Sequence, residues 1–283
     1  MLTDFEVNPD QQMPMPFKAA DDYAHRVMGW ARLFDSAAVS VRRDVHYGPH
    51  PLHRYNVFSP IHAVNAPVVI FWHGGGWTNG YRDYNTFMAR HITAIGCVLV
   101  SPSYRLVTHA RFPAALDDCL ATLAHVREHI SDCSGDPSRI YLGGHSAGAH
   151  LAALTALRSP ITVQGCLAIS GIMDLYHPSP TPGSLEERVY SMVLSHPSQD
   201  AVMSPICWAT GNRVPFDLTI GEYDSPRVRS SNLRLFELLK LQAARVELHD
   251  LPGLDHFQTH IGLCDGNAGW YQRLKQQIVE NAR

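Results

Sequence analysis

Residues 139–158 read RIYLGGHSAGAHLAALTALR, an apolar run closing on two glycines, then a serine, then an alanine-rich stretch with helical spacing. The change of period predicts a strand over 139–144 that turns sharply into a helix over 146–158. Gly144-His145-Ser146-Ala147-Gly148 therefore fits Gly-x-Ser-x-Gly, with its serine on the turn. Such a turn strains the serine backbone and needs small neighbours, which Gly144 and Gly148 supply. It also sets the hydroxyl at a helix N-terminus, where the dipole favours developing negative charge. Alone the motif is weak, since a glycine-rich strand–helix turn with no chemistry matches it as well.

Outward from this stretch, the chain alternates short apolar runs with helical patterns. PVVIFWH (67–73), GCVLVSPSY (96–104), GCLAISG (165–171), FDLTIGE (216–222) and ARVELHD (244–250) are continuous apolar strands of the kind buried on both faces. Helical patterns fall between or after them at 82–95, 113–132, 226–242 and 264–281. Ahead of them, two alternating runs over 41–60 flank Gly-Pro-His-Pro and predict a β-hairpin. An antiparallel opening followed by βα units predicts an α/β fold: a mostly parallel twisted sheet with helices on both faces. Residues 1–38 read as a polar arm and a helix, and 173–212, rich in Pro and Ser, as a cap-like or lid-like insertion. No repeat or linker interrupts 1–283, so one domain is expected.

Composition narrows the class. The 283 residues are 45% hydrophobic and 17% charged with net charge −3, which suits a soluble globular chain and offers no basic field for nucleic acid. No apolar run reaches the roughly 20 residues that span a bilayer, and the first residues lack the apolar core of a signal peptide. Six scattered cysteines without a Cys-x-x-Cys pair suggest a reducing compartment, so the cytoplasm is the expected location. A homodimer stays open.

His73-Gly74-Gly75-Gly76-Trp77 follows the strand PVVIFW directly. Glycines let a loop aim backbone N–H groups at one point, as an oxyanion hole requires. No Gly-Lys-Ser/Thr is present to make it a phosphate loop. A serine hydroxyl needs a base, and the base an orienting acid. Glu222-Tyr223-Asp224 stands at the C-terminal end of the strand FDLTIG, with Asp224 the favoured acid and Glu222 the alternative. LHDLPGLDHFQTH then offers His256 as the base, with His260 and His249 as rivals.

Together HGGGW, SPSYRL, FPAALDD and DPSRIYLGGHSAGAHLAAL resemble the hormone-sensitive-lipase-like esterases of the α/β-hydrolase superfamily. GHSAGAHL, SGIMDL (170–175) and LDHFQTH are similar to the kynurenine formamidase (arylformamidase) branch. The resemblance spans residues 40–262. It implies Ser146 as nucleophile, Asp224 as acid, His256 as base, and an oxyanion hole of the Gly74, Gly75 and Ala147 N–H groups. The expected function is hydrolysis of small aryl or short-acyl carboxylic esters, with arylformamide hydrolysis as the alternative. Acyl transfer or a pocket without catalysis are further readings. No metal or organic cofactor is called for.

Where many esterases of the first group carry an acid before the nucleophile, this chain has His145. Trp77, His145 and Tyr176 are candidate substrate-pocket residues. Trp77, Tyr81, Tyr84, Tyr176, Tyr190 and Trp208 hint at an apolar or aryl substrate group, although each also suits simple packing. His125-Val126-Arg127-Glu128-His129 matches His-x-x-Glu-His, a zinc-protease signature, but reads better as the polar face of a helix between strands.

Overall fold

The computed structural model describes residues 12–15 and 17–281. The start of the expected arm, 1–11, lies outside the described residues. Eight strands form one sheet: β1 (Val39–His46), β2 (Arg54–Pro60), β3 (Ala66–Trp72), β4 (Val98–Pro102), β5 (Gly135–His145), β6 (Gly165–Ile169), β7 (Phe216–Tyr223) and β8 (Val246–Asp255). The helices are α1 (Lys18–Arg32), α2 (Ala89–Ala94), α3 (Ala114–His129), α4 (Ala147–Arg158), α5 (Leu185–Arg188), α6 (Asp200–Met203), α7 (Pro226–Lys240), α8 (Gln258–Ile261) and α9 (Gly269–Glu280).

Strand order is β1-β2-β4-β3-β5-β6-β7-β8. β1 and β2 pair antiparallel and β2 pairs antiparallel with β4, and from β4 onward every pair is parallel. The expected hairpin and parallel sheet are thus both present. Alternation along β3 explains the layers. Val68, Ile70 and Trp72 enter one apolar cluster with Leu123 and Val126 of α3, Leu151 and Leu154 of α4 and Leu235 and Leu239 of α7. Val69 and Phe71 point the other way, into a cluster with Ile92 of α2 and Trp270 and Leu274 of α9. Burying both faces is why these strands read as continuous hydrophobic runs.

The chain leaves β3 for β4 on one side, then crosses back to β5 on the other. That reversal opens a crevice at the carboxyl ends of β3 and β5, where open α/β sheets bind ligands. Residues 73–77 and Ser146 occupy those two ends. No helix among the described residues is long and apolar enough to cross a membrane.

Candidate active site

Ser146 stands between β5 and α4 with φ 56° and ψ −121°, a left-handed conformation costly for any residue with a Cβ. The turn survives because its neighbours leave room. A Cβ on Gly148 would lie 2.1 Å from the Trp72 carbonyl oxygen, and one on Gly144 2.4 Å from the Gly148 backbone. The Ser146 N–H donates to the Ile169 carbonyl at 2.9 Å, tying the turn to β6.

The loop after β7 carries Asp224 and the loop after β8 carries His256. His256 Nε2 is 2.8 Å from Ser146 Oγ, and its Nδ1 is 2.7 Å from Asp224 Oδ1. The second carboxylate oxygen, Oδ2, accepts from Ser170 Oγ at 2.6 Å and from the Gly221 N–H at 2.8 Å. Burial would raise the Asp224 carboxyl, but hydrogen bonds from His256, Ser170 and Gly221 together with the His256 charge hold it below the usual carboxylate range. Ser170, which also contacts Thr259 Oγ1 at 2.9 Å, escaped the sequence reading. Its signals there are its place right after a buried strand and at the head of SGIMDL.

The rival residues are occupied elsewhere. Glu222 is exposed and accepts the Gly253 N–H at 2.7 Å. His249 lies 3.1 Å from Asp217, in the sheet. His260 is fully buried against Tyr23, whose hydroxyl is 2.7 Å from its Nδ1, and burial pushes its pKa down to about 3. His125 meets the Tyr55 hydroxyl at 2.9 Å and His129 stacks on it with ring centroids 4.1 Å apart, so both belong to helix packing. Asp217, Glu247 and His249 are one group with ligand atoms within 4.8 Å, but Arg273 (2.8 Å from Asp217) and Arg245 (2.5 Å from Glu247) already neutralise it.

The loop after β3 bends through positive φ at Gly75 (120°), Gly76 (59°) and Trp77 (59°). A Cβ on Gly75 would fall 2.2 Å from the Asn79 carbonyl oxygen, so that position needs glycine on two counts. The Thr78 and Asn79 N–H groups close the bend onto the Gly75 carbonyl at 3.1 and 2.9 Å. Ideal Cβ placement on Gly74 meets Ser146 Cβ at 3.1 Å, which brings this loop alongside the serine. Ala147, the first residue of α4, has an N–H with no carbonyl four residues back inside the helix to bind.

A cavity of about 170 Å³ opens on Ser146 and His256. His145 lines it, buried, with Nε2 2.8 Å from the His256 carbonyl oxygen. Burial, reinforced by the neighbouring His260 and His256, holds His145 neutral well below the usual imidazole value. Trp77 and Tyr176 do not line it, contrary to expectation. The positive φ of Trp77 turns its ring into the core, edge-on to His150 at 5.1 Å. Tyr176 is 63% exposed, outside the turn whose backbone Asp174 caps. Among the described lining residues, insertion 173–212 contributes Leu185. Much of the wall comes from segment 12–15 and α1. Gln12 spans to Gly80 through both its amide atoms (3.0 and 2.7 Å), and Asn79 Nδ2 donates to the Met13 carbonyl at 2.5 Å.

Comparison with known proteins agrees with this architecture. Residues 69–259 match a family described as having the alpha/beta hydrolase fold. Carboxylesterase NlhH of Mycobacterium tuberculosis (strain ATCC 25618 / H37Rv) is 31% identical over 223 residues, covering 72% of this chain and 70% of that one. Kynurenine formamidase of Danio rerio is 27% identical over 268 residues, covering 89% and 88%. Among solved structures, a hyperthermophilic esterase from the archaeon Pyrobaculum calidifontis superposes with a TM-score of 0.78 at 23% identity over 93% of each chain. With more than half its length matched and its sheet, turn and loops in place, the chain belongs to the alpha/beta hydrolase fold family.

Proposed function

We propose that this protein is a serine hydrolase that cleaves small carboxylic esters through an acyl-enzyme on Ser146. The observation that carries the reading is the continuous chain from Ser146 Oγ through His256 to Asp224, at 2.8 and 2.7 Å. His256 Nε2 takes the hydroxyl proton as Oγ attacks the ester carbonyl, and Asp224 stabilises the imidazolium that forms. The N–H groups of Gly74, Gly75 and Ala147 receive the oxyanion, each worth about 3–4 kcal/mol to the transition state. His256 then protonates the departing alcohol. Water attacks the acyl-enzyme with His256 again as base, releasing the acid and restoring the serine. The small cavity, walled by Phe17, Tyr23, Tyr84, Phe257 and methionines, suits short-acyl or aryl groups. Ser146→Ala should cost at least about 10⁴-fold in kcat/KM on a 4-nitrophenyl ester, and a variant with native turnover would overturn the reading.

A second reading, arylformamide hydrolysis, is favoured by one observation: the match to kynurenine formamidase runs over 89% of this chain, further than the carboxylesterase match. The same triad serves, with the arylamine protonated as it leaves. Parallel kcat/KM values for aryl esters and N-formyl arylamines decide, and a formamide preference would replace the ester reading.

A further inference from the structure

Phe17 and α1 together supply a cavity wall: Ala20, Asp21, Ala24, His25 and Met28 follow Phe17 at helical spacing, with Tyr23 beside them. Asp21 is anomalous there. Among the described residues that line the cavity it is the only carboxylate, and none is a lysine or arginine. Among the described residues it has no recorded hydrogen bond or ion pair. Of the cations on surrounding elements, Lys18 pairs with Asp22 at 2.6 Å and Arg227 with Glu186 at 3.2 Å, while Arg188 lies 2.7 Å from Met13 Sδ.

Asp21 is half-buried, and on its own stripe it stands among Phe17, Ala20, Ala24 and Met28, with His25 beside it. Its surroundings suit a positive charge. Phe17, one turn before it, has its ring centroid 6.3 Å from that of Phe257, and Tyr23 lies 5.1 Å from Phe257. Aromatic faces attract ammonium groups through their quadrupole, and the thioethers of Met13, Met15 and Met28 complete a polarizable lining.

We propose that Asp21, with the Phe17 and Phe257 rings, recognises a positively charged ammonium group on the substrate, away from the scissile carbonyl. The inference rests on the hydrolase reading and sets the substrate class within it. Asp21 determines specificity and takes no part in the bond making. Lowering salt strengthens the preference, since a partly solvated pair is screened by ions.

The test compares charged and neutral isosteres on one enzyme preparation, so that the fraction folded cancels. Butyrylthiocholine and 3,3-dimethylbutyl thiobutyrate place the difference on the leaving group. The 4-nitrophenyl esters of 4-(trimethylammonio)butanoate and 5,5-dimethylhexanoate place it on the acyl group. In one of the two pairs the cation should be favoured about five- to tenfold in kcat/KM. Asp21→Asn should bring that ratio to near one, and Asp21→Glu should keep part of it. Ratios near one in the native protein for both pairs, or ratios untouched by Asp21→Asn, overturn the inference while ester turnover leaves the hydrolase reading standing. No turnover of any of the four overturns both.

Discussion

Asp224→Asn changes one atom in a site whose hydrogen bonds leave the new amide little choice of orientation. Oδ2 of Asp224 faces the Gly221 N–H at 2.8 Å, a backbone donor that cannot reverse its polarity. Turning the asparagine NH₂ toward it would leave a buried donor facing a donor, at a cost of about 1–3 kcal/mol. The asparagine oxygen therefore stays with Gly221 and Ser170, and the NH₂ takes the Oδ1 position 2.7 Å from His256 Nδ1. A donor there forces His256 to accept at Nδ1 and carry its proton on Nε2, facing Ser146 Oγ, where the base has to be empty. The fold survives while general-base catalysis is lost. By the size of such tautomer inversions, kcat/KM for 4-nitrophenyl butyrate at pH 8 should fall by about 10⁴, or about 5 kcal/mol at 1.36 kcal/mol per decade. Glu222→Gln, in an exposed residue that accepts the Gly253 N–H away from His256, should stay within about twofold. An Asp224→Asn protein within tenfold of native, or a large loss in Glu222→Gln instead, would refute the assignment of the acid.

Gly148→Ala should destabilise the fold by at least about 2 kcal/mol, because its Cβ would sit 2.1 Å from the Trp72 carbonyl oxygen. Calorimetry should show Tm lowered by about 4–8 °C, and an unchanged Tm would contradict the packing of the turn. Acid should destabilise the protein early: burial pushes His73 down to about 4 and His260 to about 3, so the unfolded chain takes up protons first as pH drops below 6.5. Stability present above pH 6.5 is lost progressively toward pH 4 for His73 and pH 3 for His260, by about 2 kcal/mol per histidine at pH 5. Tm at pH 5 should lie about 8–16 °C below that at pH 7.5, whereas equal values would mean that these rings are not buried neutral.

The sheet was legible because its strands bury both faces and so carry unbroken apolar runs, from β3 through β7. The serine turn was legible because backbone crowding at Gly144 and Gly148 admits one residue type. Asp224 and His256 could be proposed from their order along the chain and their places after β7 and β8. The cavity wall could not. It depends on contacts such as Gln12–Gly80 and Met13–Asn79, more than sixty residues apart, made by short polar side chains that leave no periodic pattern. The insertion 173–212 reads as a cap from its length and composition, properties that do not themselves say where a segment packs. Trp77 was misplaced for a local reason: a positive φ at a tryptophan, which turns the ring inward, has no signature in the sequence.

The central claim, that Ser146 is the nucleophile of a triad, is tested most directly by covalent trapping. Incubation with a fluorophosphonate, then intact mass and peptide mapping, should show one adduct per chain, on the peptide carrying Ser146. Ser146→Ala should show none, and Asp224→Asn should label far more slowly than the native protein. An adduct on a different serine, or native protein that hydrolyses esters yet resists labelling, would contradict the account.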